Sequence, residues 1–272
     1  MNRKTILLPV AMFNFGVISI IALLAGSASA NSLLQDSFAG NNGSLPNPSN
    51  WTVNTTPPSS AVTLYNNQCL FQNRGYLNSQ TQFNPSTSGG LNITGIWTFQ
   101  SGQNYDFDYM QVLTRCSGTP DPANYYDATA GIEFLAQADQ SGGIITLNDI
   151  GIEAFGSSTP TNRVSTNSGL SWGNIANVPL AFQITDDGTD LSFHLNIADD
   201  PTRWMNEVGQ QTALEPSTNY ITFYNRETEL GYQFDDLLGN VQVTTLVPEP
   251  TTLALLVLGI GAGVLRRPRR AA

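Results

Sequence analysis

The sequence predicts an all-β protein, a sandwich of two antiparallel sheets. Residues 31–250 hold about a dozen short apolar or alternating runs, separated by clusters of Gly, Asn, Asp, Ser and Pro. Asn, Ser, Thr and Gly are abundant there and good helix formers are scarce. No helical period is sustained between the two ends and no internal repeat is visible. A stretch of about 220 residues is long enough for one sizeable core, and many short strands in one such unit favour two stacked sheets.

In chain order, Arg3 and Lys4 precede an apolar stretch that ends near Gly26, and Ala28-Ser29-Ala30 offers a small-x-small cleavage site. This is the pattern of a secretory signal peptide over residues 1–30, cut after Ala30, with export through the Sec pathway. A retained first transmembrane helix is the alternative. Gln35 to Ala39 and Trp51 to Val53 are short strand candidates around a Gly/Asn/Pro loop. Ala61 to Tyr65 and Cys69 to Gln72 form a predicted hairpin around Asn66-Asn67. Leu91 to Phe99 and Tyr105 to Arg115 are longer strands, with Ser101-Gly102 as their turn. Gly131 to Ala138 alternates, and Gly143 to Leu147 and Ile150 to Phe155 follow; residues 156–178 read as loop-rich.

Leu180 to Asn196 has the sharpest pattern. Phe182 and Ile184 alternate with Gln183 and Thr185, Asp186-Asp187-Gly188 makes the turn, and Leu191, Phe193 and Leu195 alternate with Ser192, His194 and Asn196. That is a hairpin with one buried face. Tyr220 to Tyr224 and Gly239 to Leu246 complete the body, which runs from residue 31 to residue 247.

The remaining residues, 248–272, begin Pro248-Glu249-Pro250, continue through the uncharged run Thr251 to Leu265, and end in Arg266, Arg267, Arg269 and Arg270. Fifteen helical residues span about 22 Å against about 30 Å of hydrocarbon, so the run is short for a permanent anchor, and the arginines would stay cytoplasmic. Gly259, Gly261 and Gly263 lie inside the apolar run with no strand before them, which excludes a nucleotide-binding loop. The order of prolyl break, short transmembrane helix and basic end resembles the PEP-CTERM sorting signal of Gram-negative bacteria that make extracellular polysaccharide. The resemblance implies an exosortase as processing partner, cutting near Pro248-Glu249-Pro250. It also implies transient anchoring in the inner membrane and delivery to the cell surface or a biofilm matrix of extracellular polysaccharide. An ordinary tail anchor is the alternative.

The whole chain carries a formal charge of −10, and residues 31–250, with five arginines, no lysine and all 21 acidic residues, carry −16. Such a surface repels nucleic acid and anionic lipid. It suits a soluble exported protein or carboxylates that meet cations. The two cysteines, Cys69 and Cys116, are expected to form one disulfide in an oxidising compartment, worth about 4 kcal/mol in the chain-entropy account; two free buried thiols are the alternative.

Asp36-Ser37-Phe38 before Trp51, the hairpin from Phe182 to Asn196 with its Asp-Gly turn, and Phe234-Asp235-Asp236 before a last strand resemble the concanavalin A-like lectin/glucanase jelly roll. The resemblance implies carbohydrate binding at one sheet and its rim loops. Laminarinase-type members carry Glu-x-Asp-x-x-Glu on one strand; here Asp149-Ile-Gly-Ile-Glu153 is the nearest match, with Leu147 where the first Glu belongs. On one strand, Asp149 and Glu153 stand about 13 Å apart, too far for a retaining or inverting carboxylate pair. Catalytic residues are therefore not assigned.

Asp106 and Asp108 lie one strand repeat apart, opposite Tyr105, Phe107 and Tyr109, and are candidate glycan contacts, as is Trp172 in its polar loop. Trp97 and Trp204 are further aromatic candidates, although Trp51 and Trp97 are expected in the core. Asp186, Asp187 and Asp190 around Gly188 could hold calcium, although Asp-Gly is also what the turn itself needs. His194 should project to the polar face of its strand. Together these readings predict an exported, non-catalytic, polysaccharide-associated protein. A glycoside hydrolase or lyase with an atypical site, or a purely structural surface protein, is the alternative.

Overall fold

A computed structural model describes residues 30–55, 61–72, 75–85, 88–100, 105–116, 130–156, 159–165, 171–198, 200–210, 219–227 and 235–246. Ala28, Pro248, Glu249, Pro250, Arg266 and Arg267 lie outside them, as do the apolar run Thr251 to Leu265 and the Ser101-Gly102 turn; the exposed Ala30 lies just inside. Among the described residues no helix is long and apolar enough to cross a membrane.

The described residues of the unit Asn31–Leu246 form sixteen strands. They are β1 (Ser32–Asp36), β2 (Trp51–Thr55), β3 (Ala61–Tyr65), β4 (Gln68–Gln72), β5 (Gly75–Gln82), β6 (Leu91–Thr98), β7 (Tyr105–Cys116) and β8 (Gly131–Ser141). They continue with β9 (Ile144–Gly156), β10 (Thr159–Arg163), β11 (Trp172–Gly173), β12 (Leu180–Asp186), β13 (Asp190–Ile197), β14 (Asp200–Gln210), β15 (Tyr220–Glu227) and β16 (Asp235–Thr245). Sheet A runs β14-β13-β12-β6-β16-β4-β3, with β1 also paired to β16; sheet B runs β10-β9-β8-β7-β15-β5-β2, with β11 also paired to β9.

Hairpins follow where turn chemistry dictates them. Asn66 and Asn67, at φ of 50° and 59°, join β3 to β4, a left-handed pair that asparagine tolerates and that matches the strand twist. Between β12 and β13, Gly188 takes φ of 97°, and the Asp187 side chain accepts the backbone N–H groups of Thr189 and Asp190.

The inner faces of the sheets meet in one large cluster. Trp97 packs on Phe182 at 4.5 Å and on Phe193 at 5.9 Å, and Phe193 meets Phe134 of sheet B edge-on at 6.1 Å. Burying each such ring contributes about 1.5–3 kcal/mol. Trp51 is in this core too, stacked with Phe38, while its indole N–H donates to Asp36 Oδ2 at 2.7 Å. Asp36 thereby ties the start of sheet A to the edge of sheet B.

The expected disulfide does not form: Cys69 and Cys116 are both buried thiols. Cys69 lies in sheet A and in the central cluster; Cys116 lies in sheet B, in a separate cluster with Tyr76, Leu113, Phe155 and Tyr224. Burial raises both thiols well above their ordinary range, with help from the negative charges of Asp36 and Glu133 respectively.

One buried ion pair joins the sheets. At the end of β7 two residues, Thr114 and Arg115, oppose the single Ile221 of β15, and Arg115 takes φ of 53°. This bulge turns the guanidinium inward, where Nε and Nη2 donate to Asp186 of β12 at 2.9 and 2.5 Å.

Candidate functional site

The outer face of sheet B mixes polar and apolar side chains, most of them buried. Pairing across β9, β8, β7, β15 and β5 aligns Glu153, Glu133, Leu113, Thr222 and Asn78 in one row, and Gly151, Leu135, Gln111, Tyr224 and Tyr76 in the next. Tyr76 and Tyr224 stack at 4.0 Å and 7°, and Gln111 Nε2 donates to Glu133 Oε2 at 3.0 Å. Asp149 and Glu153 share this face four residues apart on β9, a separation of about 13 Å. The carboxylate that does stand near Glu153 is its direct cross-strand partner Glu133. Sequence spacing could not disclose that pair, because its members sit on different strands. Glu133 is only 1% exposed, so substrate cannot reach it in this conformation.

Two of the sequence candidates land elsewhere. Asp108 is not on an outer face: it shares the inner face of β7 with Met110 and Val112, is 1% exposed, and accepts a hydrogen bond from Asn225 Nδ2, which also donates to Asp236. It is a core carboxylate rather than a glycan contact. Of Asp106 only its backbone place on β7 is described. Trp172 is not a platform either. Its two-residue strand β11 pairs with β9, opposite Leu147, and lays the indole into the central cluster.

The carboxylates of the Asp186–Asp190 turn do not fit a calcium site. Asp186 points inward to Arg115 and also accepts the Gly188 N–H, Asp187 caps the turn backbone, and Asp190 Oδ1 accepts from Gln210 Nε2 at 2.6 Å. Among the described residues no three His, Cys, Asp or Glu side chains converge as metal ligands.

The outer face of sheet A is different in kind. Asn206, His194, Gln183, Thr94 and Gln242 line up across five strands, and Val208, Ser192, Thr185, Asn92 and Thr244 form the neighbouring row. These side chains bond to one another. Gln183 Nε2 donates to Asn92 Oδ1 at 2.7 Å, Asn92 Nδ2 donates to Thr244 Oγ1 at 3.3 Å, and the Thr185 and Ser192 hydroxyls are 2.6 Å apart. A third row, toward the other strand ends, begins with Trp204 opposite Asn196. Trp204 is 54% exposed and lies against the His194 ring at 5.7 Å and 22°. An open depression of about 670 Å³ adjoins the turn end of the face, lined by Thr185, Ser192, Val208, Gln210, Asp187 and Asp190 among others. Two rows of the face are mostly neutral donors and acceptors, with the exposed Val208 among them, and the third runs Trp204, Asn196, Ala181 and Ile96.

Neither a protein-family model nor a curated protein matches the chain. Solved structures do match. The carbohydrate recognition domain of Emp47p superposes with a TM-score of 0.55 at 12% identity, covering 81% of this chain and 99% of that one. Peanut lectin gives 0.52 at 13% identity, covering 81% and 100%. The exoplasmic/lumenal domain of VIP36, in a Ca2+/Man3GlcNAc-bound form, gives 0.50 at 11% identity, covering 73% and 85%. The fold is the concanavalin A-like jelly roll. At these identities the likeness establishes the architecture alone, so the function is argued from this chain's own faces.

Proposed function

We propose that the chain is an exported, non-catalytic protein that associates with extracellular polysaccharide. The observation that carries this is the outer face of sheet A. In a chain whose formal charge is −10, that face presents Asn, Gln, Thr and Ser side chains in cross-strand rows. Neutral amides and hydroxyls in a fixed array suit a hydroxyl-rich polymer, whose own donors and acceptors alternate along its length. The lectin-type architecture supports the reading, since the Emp47p domain is itself a carbohydrate recognition domain. Calcium, present with Man3GlcNAc in the VIP36 form, is not assigned to the Asp186–Asp190 turn, because its carboxylates are engaged otherwise.

Export rests on the two ends. The signal peptide would be removed after Ala30. An exosortase would cut near Pro248-Glu249-Pro250, releasing the jelly roll from its short helix and from Arg266 and Arg267. Mass spectrometry of cell-surface and matrix fractions tests this, with the expected product starting at Asn31 and lacking the basic tail. Cytosolic protein with both ends intact would refute it. Polysaccharide association is tested by retention of the chain on matrix polymers, and retention by none of them would refute it.

A glycoside hydrolase is the second reading; the feature that favours it is the direct cross-strand pairing of Glu133 with Glu153, with Cβ atoms about 5 Å apart and Glu133 buried. Reducing-end release from a β-glucan, abolished by Glu153→Gln, would establish it; no release would leave the binding reading standing.

A further inference from the structure

Trp204 is the residue the core does not explain. Its strand, β14, sends Met205 and Glu207 inward to full burial, while Trp204 keeps 54% of its surface in water. An indole left half in water forgoes much of the gain of burial, so its place needs another account. It also does not hang loose. The His194 ring lies beside it and nearly parallel, at 5.7 Å and 22°. Around it stand neutral hydrogen-bonding groups: Asn196 directly opposite, Asn206 two residues along the same strand, and Gln183 across from His194.

The face continues along the strands to the depression at Thr185, Ser192 and Gln210. From Trp204 to Val208 is four residues, or about 13 Å. An apolar platform at one end and a polar hollow at the other make an extended site, long enough for several sugar rings. Asp187 and Asp190 stand at the hollow, and the chain as a whole is acidic. A uronic or sulfated polymer would meet repulsion there.

Resting on the polysaccharide reading above, we propose that the outer face of sheet A binds a neutral polysaccharide, with Trp204, beside the His194 ring, as the stacking anchor and the Thr185–Ser192 depression as the second contact. The ligand class is a chain of uncharged pyranose rings whose C–H faces cover the indole while its hydroxyls reach the amides.

The test is affinity electrophoresis of the full chain in detergent, through gels containing a neutral β-glucan, a galactomannan or the anionic polymer alginate. The intact chain should be retarded by at least one neutral polymer and not by alginate. Trp204→Ala should weaken that binding about tenfold or more, the equivalent of about 1.4 kcal/mol, while Trp204→Phe should retain most of it. Gln183→Ala, which leaves the indole in place, should weaken it by a smaller factor. Thermal unfolding confirms that each variant is folded. Retardation of Trp204→Ala equal to that of the intact chain would overturn the assignment of this face while leaving polysaccharide association standing. No retardation of the intact chain by any neutral polymer would overturn the proposal, and no retardation by alginate either would overturn polysaccharide association with it.

Discussion

Replacing Arg115 by methionine should damage the fold more than almost any other polar substitution. The guanidinium is 3% exposed and Asp186 is fully buried; Nε and Nη2 reach the two carboxylate oxygens at 2.9 and 2.5 Å. Once Arg115 is gone, Asp186 keeps the Gly188 N–H at 2.9 Å and a long contact from the Thr114 hydroxyl at 3.4 Å, with no positive charge between the sheets to match it. Breaking one side of a buried pair costs about 3–5 kcal/mol, much of it from the stranded charge. In a domain of this size that is about 6 to 20 °C in Tm. Urea unfolding of Arg115→Met should show the loss, and Arg115→Met with Asp186→Leu should be more stable than Arg115→Met alone, because the stranded carboxylate is removed. A loss below about 1 kcal/mol, or a double variant no better than the single, would refute the argument that the pair is buried and mutually dependent.

Further outcomes follow from other parts of the molecule. Phe193→Ala, at the junction of Trp97, Phe134 and the two sheets, should cost about 3–5 kcal/mol in the same assay. The folded chain should show no thiol reactive to Ellman's reagent, both cysteines should react after denaturation, and reductant should leave Tm unchanged. The raised thiols set the sign of the alkaline limb. Folded Cys69 and Cys116 keep their protons where the unfolded thiols, at about 8.5, lose them. Stability held below pH 8 should therefore fall above about pH 9, by up to about 1.4 kcal/mol per pH unit for each thiol. Cys116→Ala should shallow that limb, which pH-dependent urea titration would read. Trp51→Phe removes the indole donor to Asp36 Oδ2 and should cost about 1.5–3 kcal/mol, measured as a shift in urea midpoint.

The sheets were legible wherever apolar residues alternated cleanly. Leu180 to Asn196 folded as the predicted hairpin with His194 outward, and Asn66-Asn67 made the predicted turn. Strand β5 was missed because Gly75–Gln82 offers Leu77 and Tyr76 amid Asn, Ser, Thr and Gln, with no alternation to detect. Strand β14 was missed for a sharper reason. It carries Glu207 inward and Trp204 and Val208 outward, which inverts the usual pattern. That inversion is the mark of the proposed site, so the signal that could have located it is the one that hid the strand. The two runs read on either side of Asn148-Asp149 are one strand, β9, carried past a register shift opposite Gln137 and Ala138. Asp108 went to the wrong face because the phase of β7 is set by Met110 and Val112 rather than by its aromatics. The pairing of Glu133 with Glu153, and of Arg115 with Asp186, depends on which strands become neighbours, and a linear pattern carries no record of that.

The central claim, that an exported jelly roll holds polysaccharide without cleaving it, is met most directly by one measurement on the secreted protein. Isothermal titration against defined neutral oligosaccharides, with reducing ends assayed in the same samples, should give saturable heat and no new reducing ends. Heat indistinguishable from buffer across the whole series, or steady release of reducing ends, would contradict it.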